Sequence, residues 1–163
     1  MNNRILITYA TRTGSTIEVA AAIGDELGKR GFAADVKPVK ENPKVDGYQA
    51  VLIGSAIRMG SWLPEAVEFV TANQQRLNRV PVVLFTVHGN NRGDDEQSRT
   101  NRKAYLDTVR PLLQPVDEVF FAGVIDSKRL SLLDRLATKM VKATLGDFRD
   151  WGKIRGWAQT VFT

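Results

Sequence analysis

Ile5-Leu6-Ile7-Thr8-Tyr9-Ala10-Thr11-Arg12-Thr13-Gly14-Ser15-Thr16 runs from an apolar stretch into four hydroxyl residues around a single glycine. Ile17-Glu18-Val19-Ala20-Ala21-Ala22-Ile23 follows at once with a helix-forming composition. A strand, a hydroxyl-rich turn and a helix together offer backbone N–H groups and a positive helix end to an anion. Two readings of the turn stand side by side. Either it holds a phosphate, or Ser15 or Thr13 simply caps the helix. The turn lacks the lysine and spacing of a nucleoside-triphosphate P-loop and the three glycines of the dinucleotide fingerprint.

Outward from this stretch the chain repeats the same alternation. Ile5–Ala10 is nearly all apolar, as in a strand buried on both faces of a parallel sheet. The helix after Thr16 turns Val19, Ala20, Ile23 and Leu27 to one side and ends at Lys29-Arg30-Gly31. Further strands are predicted over 32–37, 48–54, 81–87 and 118–125. Between them come a loop over 55–62, a helix opened by Pro64 and running towards Leu77, and a polar loop over 88–97. A helix is predicted from near Ser98 to just before Pro111, and a last one over about 150–162 with Trp151, Ile154, Trp157, Ala158 and Val161 turned inward. Five β/α steps without a dividing linker predict one α/β domain over 1–163, with a parallel sheet between two helix layers.

Composition narrows the chemistry. At 163 residues, 43% hydrophobic and 25% charged, the chain has room for one sizeable core. Without cysteine, disulfides, thiol catalysis and thiolate metal sites are excluded, and a single histidine excludes a multi-histidine metal centre. No metal is expected. No apolar run reaches the roughly 20 residues of a membrane span, and Met1-Asn2-Asn3-Arg4 does not read as a signal peptide, so a cytoplasmic location is expected. The net charge of +5 is concentrated late: residues 126–163 carry 8 Lys+Arg against 4 Asp. There, from Lys128 to Leu145, Leu130, Leu133, Leu136, Ala137, Met140 and Val141 share one helical arc. Lys128, Arg135, Lys139 and Lys142 lie opposite. This segment packs on the domain, walls a cleft or docks on an anionic membrane surface. Its modest charge, without interleaved aromatics, argues against nucleic acid.

In open parallel sheets ligands bind beyond the strands' carboxyl ends, where strand order reverses. The stretches at 11–16, 55–63 and 88–97 all lie at that edge, after strands that are neighbours in the order 2-1-3-4-5. Here the residues carry a resemblance. Thr-x-Thr-Gly-x-Thr after the first strand resembles the FMN-phosphate loop of flavodoxins, and the element order matches that fold throughout. Gly54-Ser55-Ala56-Ile57-Arg58-Met59-Gly60, the extra segment before the last helix and Gly146-Asp147-Phe148-Arg149-Asp150-Trp151 resemble the menaquinone-dependent, flavodoxin-like protoporphyrinogen oxidases of bacteria.

The resemblance implies FMN as cofactor, and oxidation of protoporphyrinogen IX to protoporphyrin IX with a quinone acceptor, as in heme biosynthesis. Thr11, Arg12, Thr13, Gly14, Ser15 and Thr16 would hold the phosphate. Ser55, Ala56, Ile57, Arg58, Met59, Gly60 and Trp62 would bracket the ring with Val87, His88, Gly89, Asn90 and Gly93. Trp62 would stack on the flavin or pack in the core. His88 would act near the flavin or stand in a solvated loop. Arg58 would hold a propionate of the tetrapyrrole or stabilise negative charge on the reduced ring, against the alternative of an arginine in solvent or paired with an acid. Two other functions remain open: a flavodoxin-type electron carrier, which the positive net charge disfavours, and a flavin-free interaction domain on the same fold.

Overall fold

The structure, a computed structural model, describes residues 2–12, 14–89, 93–125 and 146–162. Thr13, Asn90 and the amphipathic segment 128–145 of the sequence analysis lie outside these residues.

Strand β1 (Arg4–Ala10) is followed by helix α1 (Ser15–Lys29), strand β2 (Ala33–Pro38) and strand β3 (Ala50–Arg58). A two-residue strand β4 (Ser61–Trp62), helices α2 (Pro64–Ala72) and α3 (Gln74–Leu77), strand β5 (Val82–His88) and helix α4 (Glu96–Ala104) come next. Strand β6 (Asp117–Ala122), short strands β7 (Val124–Ile125) and β8 (Gly146–Asp147), and helix α5 (Trp151–Thr160) complete the described elements. The main sheet runs β2-β1-β3-β5-β6, all parallel, with β4 folded antiparallel onto β3 outside that path. Without β4 this is the expected order. The small strand is the departure, and β7 and β8 form a separate antiparallel pair.

Alternation along the strands divides the core in two. Leu6 and Ala10 of β1, Val51 and Ile53 of β3, and Leu84 of β5 pack against α2 residues and Leu106. Ile5, Ile7 and Tyr9, with Leu52, Val83, Phe85 and Phe121, pack against α1 and α5. Gly54 sits on that second face, and a Cβ there would stand 2.1 Å from the Phe85 ring. The phenylalanine thus fills the space the glycine leaves.

Several element boundaries differ from the sequence reading. The helix expected to reach Pro111 stops at Ala104; turns follow, and Pro111 lies within a 3-10 turn, Arg110–Leu112. That helix buries none of its own residues, so packing does not extend it. The long helix expected to reach Leu77 breaks at Asn73 into α2 and α3. The last strand, expected to run to Ile125, is interrupted at Gly123.

Polar clamps hold α5 to α1. Arg30, just past α1, donates from Nη1 to the carbonyls of Ala158 and Val161 at 2.8 and 2.7 Å, satisfying open acceptors at the end of α5. Glu26, its side chain 6% exposed, accepts from Arg155 at 2.9 Å, Lys29 at 3.3 Å and Gln159 at 3.3 Å. Hydrogen bonding from Arg155 first, then from Gln159 and Lys29, holds the Glu26 carboxyl below its usual 4.5. Asp25 is lowered by Arg155 and Lys29, and Asp35 by the Tyr48 hydroxyl and Arg4. A carboxyl whose folded pKa is depressed stabilises the fold above its unfolded pKa, and that contribution is lost as pH falls. The urea midpoint is therefore expected to hold steady from neutral pH and to fall below about pH 4.5, where these acids protonate. Glu26→Gln is expected to flatten that fall; an acid limb as steep as in the wild type would show that Glu26 does not contribute to it.

Candidate functional site

The carboxyl ends of β1, β3 and β5 form one ledge, because Ala10 pairs with Ser55 and Ser55 with Thr86. On this ledge α1 starts at Ser15, with Gly14 as N-cap at φ 91°, a left-handed conformation suited to glycine. Among the described residues no side chain caps the helix. The Gly14 N–H instead donates to Thr11 Oγ1 at 3.0 Å, which fixes the turn locally. Ser15 does not cap α1, and Thr13 lies outside the described residues. Thr16 is fully buried, and its Oγ1 has no hydrogen-bond partner among the described residues. An unmatched buried hydroxyl is costly and rare. Beside an uncapped helix start it fits a phosphate monoester, which would accept from the hydroxyl and the first-turn N–H groups.

Arg12, expected beside that phosphate, pairs with an acid. Its Nη2 lies 3.3 Å from Glu65 Oε2 in the first turn of α2, tying the turn after β1 to the element after β3. The second Glu65 oxygen, Oε1, is buried without a hydrogen-bond partner among the described residues.

The stretch read as a loop over 55–62 is a hairpin. β3 continues to Arg58, Met59-Gly60 makes the turn, and Ile57 pairs with Trp62 and Arg58 with Ser61. Met59 and Gly60 both have positive φ, 54° and 77°, the requirement of a type I′ two-residue turn. Met59 projects from the tip, 80% exposed. Arg58 is half-buried on the last rung. Ser55 is fully buried, and its hydroxyl accepts from the Leu63 N–H at 3.0 Å and donates to the Ala56 carbonyl. Trp62 is 2% exposed and donates from its indole N–H to Thr86 Oγ1 at 2.9 Å. Of the two roles considered for Trp62 the structure takes packing: an indole so enclosed has no open face for a ring to stack on. Ala56 and Ile57 are half-buried against the core.

His88 is the last residue of β5, not a solvated loop residue, and is 5% exposed. Its ring lies 5.9 Å from that of Tyr105 and 6.3 Å from that of Phe120. The imidazole is thus buried in the wall beneath the ledge, at the end of a strand that leads to it. Val87 is buried on the opposite face, Gly89 is half-buried, and the Gly93 carbonyl accepts from Arg102 at 2.6 Å.

Three residues at the site were missed in the sequence. Gly123 donates its N–H to the His88 carbonyl at 2.8 Å and accepts from the Phe148 N–H at 3.0 Å. A Cβ there would stand 2.7 Å from Val87 and 3.4 Å from Ser15 Oγ, so the glycine lets β5 and the helix start close together. Its only signal was a lone glycine inside the strand predicted over 118–125. Thr86, partner of the Trp62 indole, read as one more buried strand residue. Arg149, its side chain 9% exposed, donates to both Asp147 oxygens at 3.0 and 2.8 Å and to Glu18 in the first turn of α1. Its guanidinium also lies 4.8 Å from the Trp151 ring centroid. Hydrogen bonding to Asp147, then to Glu18, raises its pKa and keeps it charged.

Among the described residues no three His, Asp or Glu side chains gather as metal ligands, and no helix is long and apolar enough to cross a membrane. The family model for the flavodoxin domain matches residues 6–151. The chain belongs to the flavodoxin-domain family. It is 28% identical, over 97% of its length and 94% of the relative's, to the protoporphyrinogen IX dehydrogenase (quinone) of Escherichia coli strain K12. A protein of the same name from Leishmania major is 25% identical over 95% of this chain and 73% of that one. Among solved structures, a flavoprotein in complex with FMN from Lactobacillus acidophilus NCFM superposes with a TM-score of 0.56 at 17% identity. It covers 72% of this chain and 93% of that one, a likeness of fold. The chain thus carries a flavodoxin domain and is similar, along nearly its whole length, to a protein named as a quinone-linked dehydrogenase.

Proposed function

We propose that this flavodoxin-domain chain binds FMN and oxidises protoporphyrinogen IX with a quinone as acceptor. The observation that carries the cofactor is the glycine-started α1, uncapped and with the Thr16 hydroxyl unmatched among the described residues, at the point where strand order reverses. The substrate and acceptor are taken from the relatives named protoporphyrinogen IX dehydrogenase (quinone).

Thr11, Gly14, Ser15 and Thr16 hold the phosphate, Thr11 by fixing the turn and the others through N–H and hydroxyl donors. Residues 55–60, on the hairpin, bound one side of the ring, and Val87, His88, Gly89 and Gly93 the other. When bound, FMN supplies the hydride and electron chemistry; the protein's part is to position it and to exclude competing reactions. Each two-electron step removes a pair of hydrogens from the tetrapyrrole, and they leave as quinol. No tyrosine or tryptophan lies between His88 and Gln97, so this side offers no aromatic lid and leaves a ring face to a flat reactant. Arg58, half-buried on the last rung before the exposed tip, holds a substrate propionate through a charge-assisted hydrogen bond.

Arg58→Ala is expected to lower kcat/KM for protoporphyrinogen about 10- to 100-fold, the value of a hydrogen bond to a charged group, and to change FMN affinity less than about threefold. Steady-state turnover with a menaquinone analogue, beside an FMN titration, measures both. An unchanged kcat/KM would remove Arg58 from substrate binding. Wild-type protein that binds FMN and is reduced by a flavodoxin reductase, yet does not turn over porphyrinogen, would favour the electron-carrier function.

A further inference from the structure

Glu18 lies in the first turn of α1, about 4.5 Å along the helix axis from Ser15 at 1.5 Å rise per residue. A carboxylate there suits the empty helix end, but it opposes a phosphate at the same end: two negative charges would share one positive helix terminus. The structure answers that charge from a distant part of the chain. Arg149 contacts Glu18 across 131 residues of sequence while gripping Asp147 of β8 with two hydrogen bonds, and it is 9% exposed. Asp147 pairs with Val124 of β7, Phe148 is bonded to Gly123, and Gly123 lies against Ser15. Arg149 therefore joins the β7–β8 pair to the helix start by which the phosphate would be held.

We infer that Arg149 is a positioning residue for the phosphate end of FMN: it offsets the Glu18 charge at the start of α1 and clamps β8 against that turn. The inference rests on FMN binding as proposed above. Arg149 itself touches no cofactor atom; it acts through Glu18 and the seating of β8.

The test compares FMN with riboflavin, which lacks the phosphate, by fluorescence titration of wild type, Arg149→Gln, Glu18→Gln and the double variant. Arg149→Gln is expected to raise the FMN Kd about tenfold and the riboflavin Kd less than about twofold, because a charge left near the phosphate acts on the phosphate. The FMN penalty should shrink as salt rises towards 1 M, where screening shortens to about 3 Å. The double variant is expected to return to within about threefold of wild type, a strong non-additivity for two groups in contact. Glu18→Gln alone leaves Arg149 on Asp147 and is expected to bind FMN at least as tightly as wild type. If Arg149→Gln does not fold, a Glu18→Gln variant with weakened FMN binding overturns the inference. Equal losses of FMN and riboflavin, or no rescue in the double variant, also overturn it. Wild-type protein that binds neither flavin would instead overturn the cofactor reading itself.

Discussion

Replacing Thr16 with Val is expected to weaken FMN binding about 10- to 100-fold, the loss of one hydrogen bond to a charged oxygen. The same change is expected to leave the apoprotein as stable or slightly more stable. Valine keeps the shape of threonine and removes a hydroxyl that is fully buried and unmatched among the described residues. Opposite signs on the two measurements are the useful feature. A residue that merely packed would lose stability and cofactor affinity together; one that waits for an oxyanion loses only affinity. Fluorescence titration with FMN and urea unfolding of the apoprotein measure the pair. Unaltered FMN affinity would place the phosphate elsewhere.

The second large effect lies under the site. Gly54→Ala is expected to destabilise the fold by about 1–3 kcal/mol or more, the range for overpacking a well-filled core. The added Cβ would stand 2.1 Å from Phe85 carbons, and neither residue has room to move: Phe85 is fully buried, and Gly54 lies on a strand paired on both sides. Because β3 leads directly into the hairpin that carries Arg58, cofactor affinity should fall as well. Gly54→Ala combined with Phe85→Leu should recover part of the loss relative to the sum of the single changes. Additive losses would show that the glycine is needed for backbone freedom, not for room.

How far the chain could be read beforehand follows from the range of the forces involved. Strands β1, β3 and β5 and helix α1 were legible because burial on both sheet faces writes continuous apolar runs, and the Gly31 cap writes a local stop. The ledge was legible too, since strand order follows from alternation and handedness. The hairpin at Met59-Gly60 was not: its signal is Met at a left-handed position, where Asn or Asp is the usual mark. Arg12 and Arg149 were opaque for another reason. Their partners, Glu65 and Glu18, lie 53 and 131 residues away, and which acid an arginine meets is decided by tertiary packing alone. Trp62 and His88 looked like ligand residues because they stand next to the ledge. Alternation along the strand turned His88 under it, and the Thr86 hydroxyl held Trp62 in the core.

The most direct measurement is an anaerobic half-reaction followed by absorbance. Protein loaded with FMN is mixed with protoporphyrinogen IX, and a menaquinone analogue is then added. The yellow flavin band is expected to bleach with the porphyrinogen while porphyrin absorption appears, and to return on addition of quinone. A flavin band that stays unchanged with porphyrinogen, in protein that holds FMN tightly, would contradict the proposed reaction.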